Sequence, residues 1–359
     1  IAGSNPALSA MFPPSMKTVP VVVTGYGRVG RAFVSLLREK ADDLARRYGL
    51  RPEVMAVGRA EGCFHSGEPL GPRDLSRAGE PWTSGNPSWK AGLRATDVVA
   101  GLGRGGCLVE CTVSGLETGE PGLTYISAAL GAGWHAVAAS KGALVVGLPR
   151  LRALAAANGV SLRFSGATAA ALPTLDVGAF SLAGARIEGI QGVLNGTTNY
   201  VLTRMGEGLD YGEALREAQD KGIAEPDPSS DVGGWDTAAK ILLITNACLD
   251  ADYVLKDVRV SGIVGLDVAF VRSARGEGRS VKLLATAAPG RGGARWSLDV
   301  RPSVLDPTHP LAHVNGTEKG ISFLTDSMGT VTVTGGRSSP RGAAAALLKD
   351  IVNIFRPPF

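Results

Sequence analysis

Hydrophobic positions change their spacing near the middle of the chain, and the change divides it into two parts. Val19 to Thr24 reads VPVVVT, a short β-branched run of the kind that forms a strand buried on both faces. Gly25 to Gly30 follows at once as GYGRVG. From Arg31 to Tyr48 the apolar residues Phe33, Leu36, Leu37 and Leu44 then recur as on a helix packed against a sheet. A second strand is expected from Glu53 to Val57, and others at Asp97 to Val99, Cys107 to Thr112 and His135 to Ala138. A helix from Thr124 to Gly133 fits between the last two. This alternation predicts an α/β fold, a Rossmann-type, doubly wound parallel sheet spanning residues 17–150.

From Leu151 the pattern is different. A helix to Asn158 and a strand from Val160 to Phe164 lead into a run of small residues, Ser165 to Pro173. A strand from Ile187 to Leu194 ends in Asn195-Gly196, a turn signal. Thr197 or Thr198 is then placed to cap a helix beginning near Tyr200. A last apolar repeat, Leu347, Leu348, Ile351 and Phe355, marks a terminal helix. Residues 151–335 are expected to form a second, α+β domain. Residues 1–16 read as a tag remnant or loose arm, because they lack the basic and apolar segments of a signal peptide.

Composition narrows the partners. A net charge of +4 over 359 residues, without blocks of like charge, gives no electrostatic footprint for nucleic acid. No apolar run reaches the ~18 residues that a membrane span requires. Cys63, Cys107, Cys111 and Cys248 have no companions at metal-ligand spacing, so they read as small buried hydrophobes in a reducing, cytoplasmic setting. The 49 glycines point to many tight turns and close backbone approaches.

Chemistry enters first at GYGRVG. A strand, GxGxxG and a helix in that order form the context in which the motif binds a dinucleotide. Gly25 would allow the tight turn, Gly27 the approach of the pyrophosphate and Gly30 the packing of helix on strand. The strand from Glu53 to Val57 ends in Gly58-Arg59, without the acid that usually takes the ribose 2′-hydroxyl of NAD. Arg59 could pair with a 2′-phosphate, which favours NADP, or lie in a solvated loop. Loops at the carboxyl ends of parallel strands line the ligand crevice, and that rule places Thr112-Val113-Ser114 and Ala139-Ser140-Lys141 beside the nicotinamide. Lys141 reads equally well as a solvated lysine.

The densest polar cluster runs from Glu225 through Asp227, Asp231 and Asp236 to Lys240. Its first part could be a solvated loop, and Asp236 with Lys240 an ordinary i,i+4 surface pair. Trp235, Ala238, Ala239 and Ile241 to Ile244 surround that pair, however, and an apolar helix carrying one polar turn favours a buried or cleft-lining position.

Three segments together, GYGRVG, VLNGTTNYVL (Val193 to Leu202) and AEPDPSSDVGGWDTAAK (Ala224 to Lys240), resemble homoserine dehydrogenase, with the resemblance extending from Val19 to Ile354. It implies NADP-linked interconversion of L-aspartate 4-semialdehyde and L-homoserine. The second domain would be catalytic and dimerising, and helix 340–359 would return to the nucleotide domain. Gly25, Tyr26, Gly27, Arg28, Val29, Gly30, Arg59, Thr112, Val113, Ser114 and Ser140 would contact the cofactor. Glu225 would receive the substrate ammonium, with Thr197, Asp231 and Asp236 also on the substrate and Lys141 and Lys240 as catalytic residues. Backbone at Gly166, Ala169 and Ala171 would hold a monovalent cation, usually sodium. A homodimer without an appended regulatory domain is expected.

This sequence departs from the family pattern at Ser140 (commonly Asn), at Ile223 (often Tyr), in the alanine run after Gly166, and from Gly335 to Gly342. A same-fold dehydrogenase acting on another amino-acid semialdehyde or hydroxy acid is the nearest alternative. A non-catalytic NADP-binding sensor is another, although a sensor has no need of Lys141, Asp236 and Lys240 together.

Overall fold

The VPVVVT run forms the body of β1 (Lys17–Thr24), where Val19, Val21, Val22 and Val23 lose all contact with water. The computed structural model describes residues 16–78, 85–290, 292, 295–336 and 338–356. Nearly all of the expected N-terminal arm, and the last three residues of the expected terminal helix, lie outside them. After β1 come α1 (Arg28–Glu39), α2 (Ala41–Tyr48), β2 (Leu50–Arg59), β3 (Gly62–His65), α3 (Pro72–Arg77) and β4 (Trp89–Ala91). α4 (Ala95–Gly101), β5 (Cys107–Glu110), α5 (Gly122–Gly131), β6 (His135–Ala138), α6 (Gly142–Ala157) and β7 (Leu162–Arg163) complete this half. The strands form one sheet in the order β4-β3-β2-β1-β5-β6-β7. β2, β1, β5, β6 and β7 run parallel, while β3 and β4 add an antiparallel edge.

Three elements differ from the sequence expectation. Asp97 to Val99 is not a strand but the middle of α4. The Asp97 carboxylate accepts the Arg94 N–H at 3.3 Å and so satisfies the helix start, while Val98 and Val99 are buried. The helix expected from Arg31 to Tyr48 is two helices with Lys40 between them. Residue 151 lies inside α6, whose buried Leu144, Val145, Leu148 and Leu151 continue past Pro149, a residue that reads in sequence as a helix stop. β7 then joins the first sheet beside β6, so that sheet extends to Arg163.

The second half contains α7 (Ser165–Thr168), α8 (Thr174–Asp176), a π turn over Val177–Ser181, β8 (Ile187–Val193), α9 (Gly196–Gly206), α10 (Tyr211–Asp220), α11 (Ser229–Val232) and α12 (Trp235–Cys248). β9 (Val258–Val260), α13 (Val268–Gly276), β10 (Ser280–Ala288), β11 (Ser297–Leu305), β12 (Lys319–Thr325), β13 (Thr330–Gly335) and α14 (Pro340–Phe355) follow. The second sheet has the order β13-β12-β8-β10-β11-β9 and is antiparallel except at β11–β9. α12 packs against β8, β9, β10 and β11 and also meets α6 and α7, which makes it one contact between the halves. Its residues from Asp236 to Asn246 are buried apart from Lys240.

α14 closes the fold. Ala344, Leu347, Leu348, Ile351 and Phe355 share a core with Val19, Val21, Val23 and Phe33 on the first sheet. Its Asp350 is 0% exposed and accepts the Ser165 N–H at 2.9 Å and the Ser165 hydroxyl at 2.8 Å. The neighbouring Lys349 reaches the same hydroxyl at 2.9 Å and pairs with Asp176. A buried carboxylate is tolerable only when its lone pairs are filled, and here they pin the last helix to the start of the second half. Asp350→Ala leaves the Ser165 groups unpaired and should lower unfolding stability by about 2–4 kcal/mol. Urea denaturation measures this, and a loss below about 0.5 kcal/mol would mean the contact is dispensable.

Candidate active site

The glycine loop lies at the end of β1 and its three glycines have separable reasons. Gly25 has φ +80°, and a Cβ there would stand 2.4 Å from the Cys111 carbonyl oxygen. A Cβ on Gly30 would stand 2.2 Å from the Gly25 carbonyl oxygen, so the helix meets the turn only through glycine. A Cβ on Gly27 would meet nothing within 4 Å, because that glycine faces open space. Gly27 is also the N-cap of α1, and no side chain caps the helix. First-turn N–H groups and the positive dipole end therefore face the same space, which suits the pyrophosphate of a dinucleotide. Arg59 is the last residue of β2 and is part-buried.

Loops after β5 and β6 meet over a carboxylate that the sequence reading did not single out. Glu110 is fully buried at the end of β5. It accepts the Thr112 N–H at 2.7 Å, the Thr112 hydroxyl and the Ser140 hydroxyl. Burial pushes its carboxyl above the ordinary range, against those hydrogen bonds. The Lys141 N–H in turn donates to the Ser114 hydroxyl at 2.9 Å. The expected nicotinamide-side residues Thr112, Ser114, Ser140 and Lys141 are thus brought together, and Val113 between them is exposed. A glutamate closing the apolar strand CLVE was the available signal.

Across the cleft, Asp236 occupies the first turn of α12, which starts from Gly234 in the left-handed region at φ +86°. It collects partners from both halves. Lys240 donates to its Oδ2 at 2.5 Å and to the Leu194 carbonyl at 2.9 Å, and Lys141 stands 3.3 Å from Oδ1. Asn195 adds a third contact: its Nδ2 donates to Asp236 Oδ2 at 2.8 Å and to Asp231 Oδ1 at 2.7 Å. The other end of the same amide accepts the Thr198 N–H at 2.9 Å, so Asn195, rather than Thr197 or Thr198, caps α9. Only Asn or Gln offers a donor and an acceptor back to back in this way, and in sequence Asn195 registers only as a turn residue.

Burial would raise the Asp236 carboxyl, but Lys240 and Lys141 outweigh it and hold the group well below the usual carboxylate range. Asp231 goes the other way, raised by burial and by the neighbouring Asp236 charge, against Asn195 and Lys240. Lys319, also not singled out in sequence, is the first residue of β12. It is 2% exposed and donates to the Ala169 carbonyl at 2.8 Å. Burial and the positive charge of Lys240 push its ammonium down to about 7, with Asp236 opposing.

The Glu225 to Lys240 cluster divides by role. Asp227 accepts the Ser229 N–H at 3.1 Å and shapes the entry to α11. Thr197 donates to the Ile223 carbonyl at 3.2 Å, and Gln219 holds the carbonyls of Glu225 and Pro226. That turn leaves the Glu225 side chain exposed, with no ion pair among the described residues. Gly166 lies within α7, Ala169 and Ala171 lie between α7 and α8, and the Ala169 carbonyl meets the end of the Lys319 side chain. Among the described residues no His, Cys, Asp and Glu cluster could hold a metal, and no helix is long and apolar enough to cross a membrane.

The family model described as homoserine dehydrogenase matches residues 173–352. Over 341 residues the chain is 33% identical to a homoserine dehydrogenase from Methanocaldococcus jannaschii, covering 93% of this chain and 98% of that protein. Over 197 residues it is 36% identical to an NAD(+)-dependent homoserine dehydrogenase from Pseudomonas canavaninivorans, covering 55% of this chain and 56% of the relative. The crystal structure of a putative homoserine dehydrogenase from Archaeoglobus fulgidus superposes with a TM-score of 0.83 at 29% identity, covering 94% of this chain and all of that one.

The Asp236 cluster makes a pH prediction. Its carboxyl has a lower pKa folded than unfolded, so its contribution to stability is complete above the unfolded value of about 3.8 and is lost as pH falls from there toward the folded value. Asp236→Asn should be less stable than the parent near neutral pH, with the gap closing below about pH 4. Urea melts of both proteins across pH 3–7 measure it, and a gap that does not change with pH would refute the pairing.

Proposed function

The chain belongs to the homoserine dehydrogenase family of NAD(P)-dependent oxidoreductases, and from that premise we propose that it reduces L-aspartate 4-semialdehyde to L-homoserine with NADPH preferred over NADH. The observation that carries the reading is Asp236 held between Lys141 of one half and Lys240 of the other.

Gly25 to Gly30 would hold the pyrophosphate on the open face of Gly27 and the first turn of α1. Arg59, at the end of a strand that carries no acid there, is the group we assign to the 2′-phosphate. Thr112, Val113, Ser114 and Ser140, gathered by Glu110, would line the nicotinamide, which when bound supplies the hydride. On the substrate side, the exposed Glu225 carboxylate, with no ion pair among the described residues, suits an ammonium, and we assign Thr197 and Asp231 to the substrate as well. The hydride goes to the aldehyde carbon, and the oxygen then needs a proton. Lys240 and Lys141 face that position as ammonium groups, so they can stabilise the alkoxide and one of them can protonate it. An ionised Asp236 supplies both lysines with a counter-ion, an arrangement that has a proton to give and therefore serves reduction. The homodimer of the resemblance is part of the same proposal, and β13 offers an open sheet edge for it.

The decisive assay is oxidation of homoserine beside a panel of related hydroxy amino acids, with NADP+ and NAD+. Homoserine should be the best substrate and NADP+ should exceed NAD+ in kcat/KM by about tenfold or more, the worth of one charge-assisted contact. Turnover confined to another panel member would overturn the substrate, and a ratio near one would overturn the role of Arg59. Lys240→Ala should lower kcat about 10²–10⁴-fold while NADPH affinity stays within about threefold. Near-normal turnover would remove Lys240 from proton transfer.

A further inference from the structure

The loop from Gly166 to Leu172 is where the family resemblance places a monovalent metal ion on backbone carbonyls. The residues present do not fit one. The Ala169 carbonyl oxygen accepts the Lys319 ammonium at 2.8 Å and the Leu172 N–H at 3.2 Å, so both lone pairs are engaged. A metal ion on that oxygen would stand against a buried ammonium in a region of low dielectric, where like charges repel strongly. The loop is also closed from outside: a Cβ on Gly336 would lie 2.8 Å from the Leu172 nitrogen and 3.2 Å from the Ala171 carbonyl carbon.

We propose that the ammonium of Lys319 takes the place of that metal ion, so that this enzyme carries its cation on its own chain and does not depend on Na+ or K+. Lysine suits the task because its ammonium is a compact point charge with donors that satisfy carbonyl oxygens. The strand position suits it as well. Lys319 opens β12, which pairs with β8, and β8 leads directly into Leu194 and Asn195 of the active site. The same ammonium is close enough to Lys240 and Asp236 to act on both electrostatically. The loop needs such a clamp, since Ala170 adopts φ +53°, a left-handed conformation that alanine does not hold on its own account. Lys319 is therefore a positioning residue: it fixes the loop through the Ala169 carbonyl without touching substrate.

The inference rests on the functional reading for its kinetic arm only. Full-length enzyme would be exchanged into tetramethylammonium buffer and compared with Na+ and K+ at constant ionic strength. Homoserine turnover and the thermal midpoint should each be insensitive to the cation, with rates within about twofold. Lys319→Met should lose about tenfold or more in tetramethylammonium, and recover about fivefold or more with Na+, K+ or ammonium. Its thermal midpoint should rise with the added small cation while that of the parent does not. Saturable activation or stabilisation of the parent by Na+ or K+ overturns the proposal, as does a Lys319→Met enzyme with parental rate and no cation response. If Lys319→Met does not fold, Lys319→Arg decides: cation-insensitive turnover and midpoint support the proposal, and saturable Na+ activation or stabilisation refutes it. Lack of turnover with homoserine would count against the substrate alone, because the thermal arm needs no substrate.

Discussion

A carboxylate buried between two lysines from different halves of the chain is the constraint around which the rest is arranged. An ionised Asp236 in that position is affordable only if opposite charges and donors reach it from several directions. Lys240 comes from the next turn of the same helix, Asn195 from the cap of α9, and Lys141 from the loop after β6 in the first half. The first two can form within the second half. Lys141 completes the set only when the halves are in contact, so the electrostatic demand of one side chain makes the cleft and the fold interdependent. The apolar length of α12, lodged against the second sheet and against α6, supplies the packing that holds Asp236 at this junction.

Glu110 does the corresponding work in the first half. The parallel strands β5 and β6 end side by side, and their loops could diverge. One buried carboxyl accepting from Thr112 and Ser140 keeps them together and so fixes where Lys141 begins α6. Asn195 and Glu110 are thus equivalent devices, each a buried polar group that spends all its hydrogen bonds on aligning neighbours. Glu110 sets the loop that carries Lys141, and Asn195 holds the carboxylate that Lys141 and Lys240 share.

How much of this was legible in sequence follows from the range of the interactions. GYGRVG is a local requirement of the backbone: Gly25 and Gly30 have steric reasons in the turn itself, while Gly27 faces open space. Asp236 and Lys240 are a local pair as well, read from one turn of an apolar helix. The strand expected at Asp97 to Val99 failed because two adjacent valines suit either a strand or a helix face, and the N-terminal Asp97–Arg94 contact decides for the helix. The helix expected from Leu151 begins at Gly142, and the buried Leu144, Val145, Leu148 and Leu151 carry it through Pro149. The contacts that define Asn195, Glu110 and Lys319 reach partners far off in sequence: Asp231 and Asp236, Ser140, and Ala169. Lys319 reaches back to Ala169, and no periodicity or spacing records such a contact.

The cluster also has a sign, and that sign bears on what the site can bind. Lys141 and Lys240 both stand against Asp236, with Lys319 near enough to act on it electrostatically, while burial and the Asp236 charge push the Asp231 carboxyl above its ordinary value. Two lysines therefore face one carboxylate at Asp236, while Glu225 is an exposed carboxylate. A zwitterionic amino-acid substrate placed with its ammonium at the rim and its reacting oxygen between the lysines would meet complementary charge at both ends. The oxygen gains more as it becomes an alkoxide than as an aldehyde, because the surrounding ammonium groups are fixed before the reaction and need not reorganise. A neutral cluster of the same shape would bind the substrate but would offer the transition state no such difference.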